Sequence, residues 1–377
     1  MKITFVSNFM NHHQMPLCES LLAISDVNFT FIATEAVPDD RIQLGYSVKF
    51  SHLPYYREAI TDQDFAEAEE LCFNSDVLIF GSAPMKFVKR RLRAEKLTFS
   101  YNERFFKRGF WNHPGDIYRA IRDYTRFNNP NFYQLCASAY TACDSNCIFA
   151  FPERKFRWGY FPVVKEQNVP ALLEGKEQGS LLWVGRFLDW KHPEKAVEVA
   201  RRLKEEGIAF RLSMIGVGEM EEQIKALIKR NGLQKQVNLL GSMTPEEVRL
   251  HMEQSQVFLF TSDRNEGWGA VLNEAMNSGC AVVASEEIGA VPYLIQPGRN
   301  GTIYKNNDDE QLYQQVKRFL LDQNLAERLG TEAYQTMVSF WNGGIAAQRL
   351  YAFCKAKLAG TVEPVYLDGP MSWDCEK

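Results

Sequence analysis

Short apolar runs alternate with segments of helical period along the chain. At the N-terminus "KITFV" is a β-branched and aromatic run. The polar turn "SNFMNHHQ" follows it, and then a periodic segment from near Met15 and Pro16, which predicts strand, loop and helix in that order. "NFTFIAT" near residue 28 and "DVLIFG" at 76–81 predict further buried strands, the second entering a helix with Pro84 in its first turn. A second series begins at "SLLWVGR", residues 180–186. It continues into "HPEKAVEVARRLKEEG", where Ala196, Val197, Ala200 and Leu203 recur at helical spacing between Pro193 near the start and Gly207 as a stop. "FRLSMIG", "VNLLG" and "VFLFTS" read as strands, separated by the helical patterns "EMEEQIKALIKRNG" and "TPEEVRLHMEQS". Strands and helices in such alternation imply parallel sheets.

The two series are joined by "PVVKEQNVPALLEGKEQGS", residues 162–180, which is polar and proline-bearing. A chain of 377 residues exceeds one core of about 150 residues. The expected class is α/β, two doubly wound Rossmann-like domains. An N-terminal domain is expected over 1–165 and a C-terminal one over 166–350, with a helix end and tail over 351–377. The last helical pattern, "GGIAAQRLYAFCKAKL", ends near Leu358. Ligands of such sheets bind outside the carboxyl ends of the strands, so two facing domains would place their chemistry in a cleft between those ends.

Composition narrows this only slightly. Hydrophobic content of 45% with 24% charged residues describes an ordinary folded protein. The cysteines Cys18, Cys72, Cys136, Cys143, Cys147, Cys280, Cys354 and Cys375 show no CxxC spacing, unlike a disulfide scaffold or a zinc site, and most are expected to be apolar fillers. With no signal-peptide core and no span of about 20 apolar residues, a cytoplasmic protein is expected. The net charge of −4 conceals a basic segment, 86–126, with 12 basic against 4 acidic side chains, interleaved with Phe87, Phe99, Tyr101, Phe105, Phe106, Phe110 and Trp111. It reads either as a surface for anionic lipid or a phosphorylated acceptor, peripheral to the inner face of the membrane, or as a solvated helix face followed by core aromatics. Nucleic acid is not an expected partner, because no binding motif accompanies the charge.

The stretch "RNEGWGAVLNEAMNSG", residues 264–279, follows the strand "VFLFTS". Gly267, Trp268 and Gly269 fall in the turn, and a helix is expected from about Gly269 to Asn277. Glycines let backbone amides approach an anion, and the first helical turn offers free N–H groups. Leu272, Ala275, Met276 and Gly279 form the packing stripe, and Glu274 lies roughly 200° from Leu272. Eight residues of helical rise separate Glu266 from Glu274 by about 12 Å, enough to bracket an extended ligand with hydroxyls at each end and phosphates between. Arg186 after the first strand of this domain and Lys191 before its next helix would reach the same edge and stabilise charge on a departing diphosphate. Read singly, each of these residues also fits an ordinary exposed position.

Taken in order, "VGRFLDWK", "MIGVGEM", "VNLLGSMTPEEV", "VFLFTSDRNEGWGAVLNEAMNSGCAVVAS" and "GRNG" resemble the donor-binding half of the retaining GT-B glycosyltransferases of family 4, over about residues 180–355. The resemblance implies transfer of a hexosyl unit from a nucleotide-sugar, with a UDP-sugar expected, to a glycan or lipid-linked acceptor in surface polysaccharide or lipopolysaccharide assembly. No essential metal or cofactor is implied. Glu266 would lie near the sugar and Glu274 on the ribose. Gly267, Trp268 and Gly269 would supply amides to the sugar, with Val271 and Leu272 near the phosphates and Arg186 and Lys191 on the diphosphate. Gly216 and Gly218 would form a turn near the nucleoside, and Gly241 would lie where backbone groups read the base.

The N-terminal half departs from that family in two places. The loop after the first strand carries Asn11, His12, His13 and Gln14 where a glycine pair is usual, and these side chains could meet donor phosphates or acceptor. After "DVLIF" stand Gly81 and Ser82 where many members have a histidine. "KFRWGYFP", ending at Pro162, reads as the last strand of the N-terminal domain. Two other readings use the same fold: a nucleotide-sugar-binding scaffold without activity, and an NAD-dependent oxidoreductase. The second lacks a GxGxxG after a first strand.

Overall fold

Runs such as Ile3–Val6 and Leu78–Phe80 are apolar on both faces, which suits strands covered by helices above and below. In the computed structural model, which describes residues 1–37, 50–107 and 109–374, they form all-parallel sheets. Arg108 and Cys375 lie outside the described residues. The chain divides into two units, Met1–Val163 with Trp341–Lys377, and Val164–Phe340.

Unit 1 runs β1 (Lys2–Ser7), α1 (Met15–Leu22), β2 (Asn28–Ala33), β3 (Tyr56–Glu58), α2 (Asp62–Asn74), β4 (Val77–Phe80) and α3 (Lys86–Arg93). It continues with β5 (Thr98–Asn102), α4 (Pro114–Asp123), β6 (Phe132–Cys136), α5 (Thr141–Cys147) and β7 (Lys155–Arg157). Its sheet has the order β3-β2-β1-β4-β5-β6-β7, with Ile3 beside Phe29 on one side and Val77 on the other. The order reverses direction between β1 and β4, so the loops after those two strands open the rim of this sheet.

Part of the basic segment goes inward, chiefly its aromatic residues. Phe87, Phe99, Tyr101 and Phe106 are buried, and Arg91 is wholly enclosed. Its guanidinium donates to the carbonyls of Cys72 (3.0 Å), Phe73 (3.1 Å), Ser75 (2.5 Å), Asp76 (2.8 Å) and Leu97 (2.7 Å), and to Thr98 Oγ1 (3.1 Å). Arg91 therefore closes the C-terminal end of α2, where helix carbonyls lack partners. Burial lowers its pKa to about 10, which leaves it charged at neutral pH. Trp111, in contrast, is 84% exposed.

Unit 2 runs α6 (Val169–Glu174), β8 (Glu177–Val184), α7 (Pro193–Glu205), β9 (Arg211–Ile215), α8 (Glu221–Arg230), β10 (Val237–Leu239), α9 (Pro245–Gln254) and β11 (Ser255–Phe260). It then adds α10 (Val271–Asn277), β12 (Ala281–Ser285), α11 (Val291–Leu294), β13 (Thr302–Tyr304), α12 (Asp309–Leu321) and α13 (Gln323–Ser339). The order β10-β9-β8-β11-β12-β13 reverses between β8 and β11, the point where doubly wound sheets take their ligands. Leu181, Trp183, Met214, Val257 and Leu259 form part of the core beneath α7 and α12. Thr244 caps α9 as its sequence suggests, accepting from Glu247 N (3.3 Å) while Glu247 Oε2 accepts from Thr244 N (2.8 Å).

The last helix differs from the expected division at residue 350. α14 (Gly343–Ala359) belongs to unit 1, because Gly343 lies directly on α1. A Cβ there would stand 2.8 Å from the Pro16 carbonyl carbon and 2.9 Å from Leu17 N. Phe353 packs its ring on Phe99, Tyr133 and Phe156, and Tyr351 donates to Asp26 at 2.9 Å. The tail follows it, with Trp373 stacked on Phe156 at 4.3 Å between centroids. Helical period identifies such a segment without identifying the sheet that it covers.

Of the described cysteines, Cys18, Cys72, Cys136, Cys280 and Cys354 are buried, and Cys143 and Cys147 are exposed on α5. No helix of the described residues is long and apolar enough to cross a membrane.

Candidate active site

Four loops at the carboxyl ends of β8, β9, β10 and β11 make the rim of unit 2, and backbone hydrogen bonds tie the first three together. Gly185 N donates to Ile215 O (3.0 Å), Phe187 N to Val217 O (2.9 Å), Met220 N to Phe187 O (3.0 Å) and Gly216 N to Gly241 O (2.8 Å). Such close approach leaves no room for side chains. A Cβ on Gly216 (φ 135°) would stand 1.9 Å from Gly185 O, and one on Gly218 (φ 156°) 2.5 Å from Phe187 O. These two glycines bring the β9 loop directly against the β8 loop, with Gly241 bonded to Gly216 from the β10 side, and present main-chain groups at the rim.

The β8 and β11 loops meet through side chains. Thr261, just past β11, donates its hydroxyl to Lys191 O (2.7 Å) and His192 O (3.0 Å) and accepts from the indole of Trp183 (2.9 Å). Asp263 N donates to Trp190 O (3.0 Å). Lys191, at the end of a 3₁₀ turn over Asp189–Lys191, donates its ammonium to Glu266 Oε2, which also accepts from Ser262 Oγ (3.0 Å). The side chains of Lys191 and Glu266 are 13% and 11% exposed, so the pair is mostly desolvated and depends on those extra bonds to hold its geometry. Lys191 also lies 4.5 Å from the ring centre of Trp190, a cation–π contact. Arg186 is exposed and, among the described residues, its guanidinium makes no hydrogen bond or ion pair, while its carbonyl accepts from Leu188 N (2.8 Å).

Gly269 lies ahead of the helix rather than in it, because its φ is 88°. α10 begins at Val271. A Cβ on Gly269 would meet Phe260 Cζ at 2.6 Å. Trp268 is buried, with its indole donating to Asn273 Oδ1 at 2.9 Å. Leu272 is buried too, so Trp268 and Leu272 reach the rim through their backbone alone. Leu272, Ala275 and Met276 are fully buried, and Glu274 is half-buried on another side of the helix. Burial raises the Glu274 carboxyl to about 7 against the opposing field of Arg249. Arg249, itself buried, holds Asn277, and Asn277 donates to Lys165 O (3.1 Å).

In unit 1 the loop after β1 is held by main-chain bonds, Glu35 N to Asn8 O (2.7 Å) and Gln14 N to Asn11 O (3.0 Å), and by its own side chains. Asn11 N donates to Gln14 Oε1 and His13 N to Asn11 Oδ1, each at 3.0 Å. The rings of His12 and His13 lie 3.7 Å apart, and burial, with His12 adding, pushes the His13 imidazole well below its usual range. Gly81 stands where a Cβ would be 2.8 Å from Ser7 Oγ and 3.3 Å from the Phe5 ring. That closeness to β1 explains a glycine after β4.

Thr261, Ser262, Asp263 and His192 are the contributors that pattern reading missed. Hydroxyls and carboxylates in a turn carry no periodicity, and only proximity of the turn to Lys191 points to them.

Residues 164–336 match the family model described as glycosyl transferases group 1. A putative colanic acid biosynthesis glycosyltransferase, WcaL of Salmonella typhimurium, is 29% identical over 43% of this chain and 41% of its own length. The amylovoran biosynthesis glycosyltransferase AmsK of Erwinia amylovora is 33% identical over 35% of this chain and 33% of its own. The chain thus matches well under half the length of these curated relatives. Among solved structures, HepE of Anabaena, in complex with UDP and glucose, superposes with a TM-score of 0.68 at 15% identity, covering 96% of this chain and all of HepE. That likeness concerns the fold. The chain therefore carries a glycosyl transferases group 1 domain over 164–336, within a GT-B fold of two Rossmann-like units.

Proposed function

We propose that the protein is a retaining glycosyltransferase. It moves a hexosyl unit from a nucleotide-sugar, UDP-linked, to a glycan or lipid-linked acceptor in the assembly of a surface polysaccharide or lipopolysaccharide. The observation that carries this reading is the ion pair of Lys191 and Glu266 at the β8–β11 reversal, inside the segment that matches the family model. The relatives are named for colanic acid and amylovoran biosynthesis, and HepE holds UDP; both support the substrate class.

In this reading the exposed Arg186 meets the diphosphate first. Lys191, with three N–H donors, shares its charge between Glu266 and the phosphate next to the sugar. As the bond between the anomeric carbon and that phosphate breaks, negative charge builds on the leaving oxygen, and fixed cations lower the barrier most at that moment. The acceptor hydroxyl forms the new bond on the same face and gives its proton to the departing diphosphate. Glu266, anchored by Ser262, accepts from hydroxyls of the sugar, and Glu274 from those of the ribose. Gly267, Trp268 and Gly269 offer amides to the sugar, and the β9 and β10 loops with Gly216, Gly218 and Gly241 contact the nucleoside. No metal is required, because the two cations carry the diphosphate charge. The loop of Asn11, His12, His13 and Gln14 serves acceptor or phosphate. A cytoplasmic protein peripheral to the membrane fits a lipid-linked acceptor, with Trp111, the arginines of α4 and Lys86, Lys89, Arg90 and Arg93 of α3 in the exposed part of the basic segment.

The test is calorimetry with UDP and GDP, together with a transfer assay. Glu274→Ala is expected to weaken UDP binding about tenfold, the loss of one hydrogen bond to a charged group, about 1.5 kcal/mol. Lys191→Ala is expected chiefly to slow transfer, by 10²-fold or more on the order of one lost oxyanion donor. Unchanged UDP and GDP affinity in the first variant would overturn the assignment.

A further inference from the structure

His192 adopts a backbone conformation that a side chain disfavours. It links the 3₁₀ turn of Lys191 to α7 with φ 49° and ψ 53°, in the left-handed region. Strain of this kind persists only where the surroundings impose it, and it clusters at functional sites. Its surroundings here are well defined. The carbonyl accepts from Thr261, and the ring lies between two carboxylates, with Nδ1 2.9 Å from Glu194 Oε1 and Nε2 3.5 Å from Asp263 Oδ2.

Those two acids belong to different loops. Glu194 opens α7, next to the turn of Lys191. Asp263 organises the turn that ends in Glu266: its carboxylate accepts from Asn265 N (2.8 Å) and Nδ2 (2.9 Å), and its carbonyl accepts from Glu266 N (3.0 Å). A carboxylate only accepts hydrogen bonds, and a neutral imidazole has one N–H to give, so only the imidazolium can serve both. We propose that His192 is a positioning residue whose imidazolium clamps Glu194 to Asp263. The clamp keeps the loops of Lys191 and Glu266 in register for a nucleoside diphosphate and relaxes when the ring loses its proton.

The charged groups around the ring agree with this. The hydrogen bond to Glu194 raises its pKa above the usual 6.5 and Asp263 adds to it, while burial and Lys195 on α7 oppose. Lys195 is itself drawn 3.3 Å from Asp309, and the neighbouring Lys191 ammonium is engaged by Glu266. A raised histidine pKa means that the clamp is fully formed below the unfolded value and is lost as pH rises through the folded one.

The consequence for nucleotide binding rests on the proposed function, but the titration of the ring does not. Nuclear magnetic resonance of the full chain with labelled histidine should place the His192 pKa above 6.5, and Asp263→Asn, which keeps an acceptor in the turn but removes its charge, should lower it. A wild-type value at or below 6.5, or no change in Asp263→Asn, would overturn the clamp whether or not the protein binds nucleotide. UDP affinity is then compared between the wild type and His192→Asn, since asparagine tolerates the left-handed region but does not titrate. The wild type should bind about threefold or more tightly than the variant at pH 6, with the ratio approaching one at pH 8.5. A ratio equal at both pH values would overturn the proposal, because a purely structural role would not titrate. Absence of UDP and GDP binding by the wild type would sink the donor assignment and with it the proposed link to binding, leaving the ring titration to decide the clamp itself.

Discussion

The two units share a strand order around their first strand and hold the tip of the loop after it in different ways. In unit 2 the loops after β8, β9 and β10 are joined main chain to main chain, and Gly216 and Gly218 make room for it. In unit 1 the loop after β1 is joined main chain to main chain at its base, where Asn8 O accepts from Glu35 N (2.7 Å), and its tip, residues 11–14, closes on itself through Asn11 and Gln14 side chains as well as the Gln14 N–Asn11 O bond (3.0 Å). A rim of backbone groups has few ways to change without losing its register. A rim of side chains can be rewritten residue by residue. The first suits a ligand part common to many reactions, such as a nucleoside diphosphate, and the second suits an acceptor that differs from one enzyme to the next.

The largest effect should come from breaking the backbone rim. Gly216→Ala places a methyl 1.9 Å from Gly185 O and 2.8 Å from Gly185 C, both backbone atoms, with φ at 135°. A backbone carbonyl cannot rotate away as a side chain can. Strain at such a φ and overpacking each cost about 1–3 kcal/mol, so a loss of roughly 3–5 kcal/mol is expected in denaturant unfolding of unit 2, with nucleotide binding lost at the same time. A loss below about 1 kcal/mol would show that the β8 and β9 loops part easily and would remove the contrast between the rims.

A smaller effect tests the acid at the far end of the unit 2 rim. Burial raises the Glu274 carboxyl from 4.5 to about 7, so the folded state holds a proton there that the unfolded chain releases between those values. The stability tied to that proton is complete below about pH 4.5 and lost as pH rises through 7. Glu274→Gln should therefore gain stability relative to the wild type between pH 4.5 and pH 8. Each tenfold difference in proton affinity between the folded and unfolded chain is worth about 1.36 kcal/mol, so the gain approaches about 3 kcal/mol at the upper end of that range, read from unfolding curves at each pH. Equal pH dependence in both proteins would mean that Glu274 is solvated and free.

Much of this was legible beforehand. The alternation of strands and helices pointed to two doubly wound halves, because parallel strands covered on both faces must be continuous apolar runs. Arg186, Lys191, Glu266 and Glu274 stood out because each follows a strand or rides a helix at a countable spacing. Two things were not legible. The attachment of α14 to unit 1 depends on Gly343 touching α1, a contact more than 300 residues apart in sequence. The bonds of Thr261 and the double engagement of His192 depend on loop geometry, where residue type constrains partners only weakly. The basic segment misled for a related reason: sequence counts Arg91 as surface charge, while the structure uses all its donors on carbonyls and a hydroxyl inside the fold.

The smallest effect lies at the matching place in unit 1, and it sharpens the comparison. Gly81 follows β4 as Glu266's loop follows β11, and its N–H donates to Val6 O at 2.8 Å. A Cβ there would stand 2.8 Å from Ser7 Oγ, 3.2 Å from Ser7 Cβ and 3.3 Å from the Phe5 ring, all of them side-chain atoms. Ser7 can turn its hydroxyl away from Asn8 Oδ1, now 3.2 Å distant. Gly81→Ala should therefore cost less than about 1 kcal/mol, the range of a forced rotamer. Ser7→Ala should remove most of that cost, so the pair of substitutions should couple in a double-mutant cycle. A cost as large as that of Gly216→Ala, or no coupling with Ser7, would show that the rim of unit 1 is also fixed by its backbone and that the two units do not differ in kind.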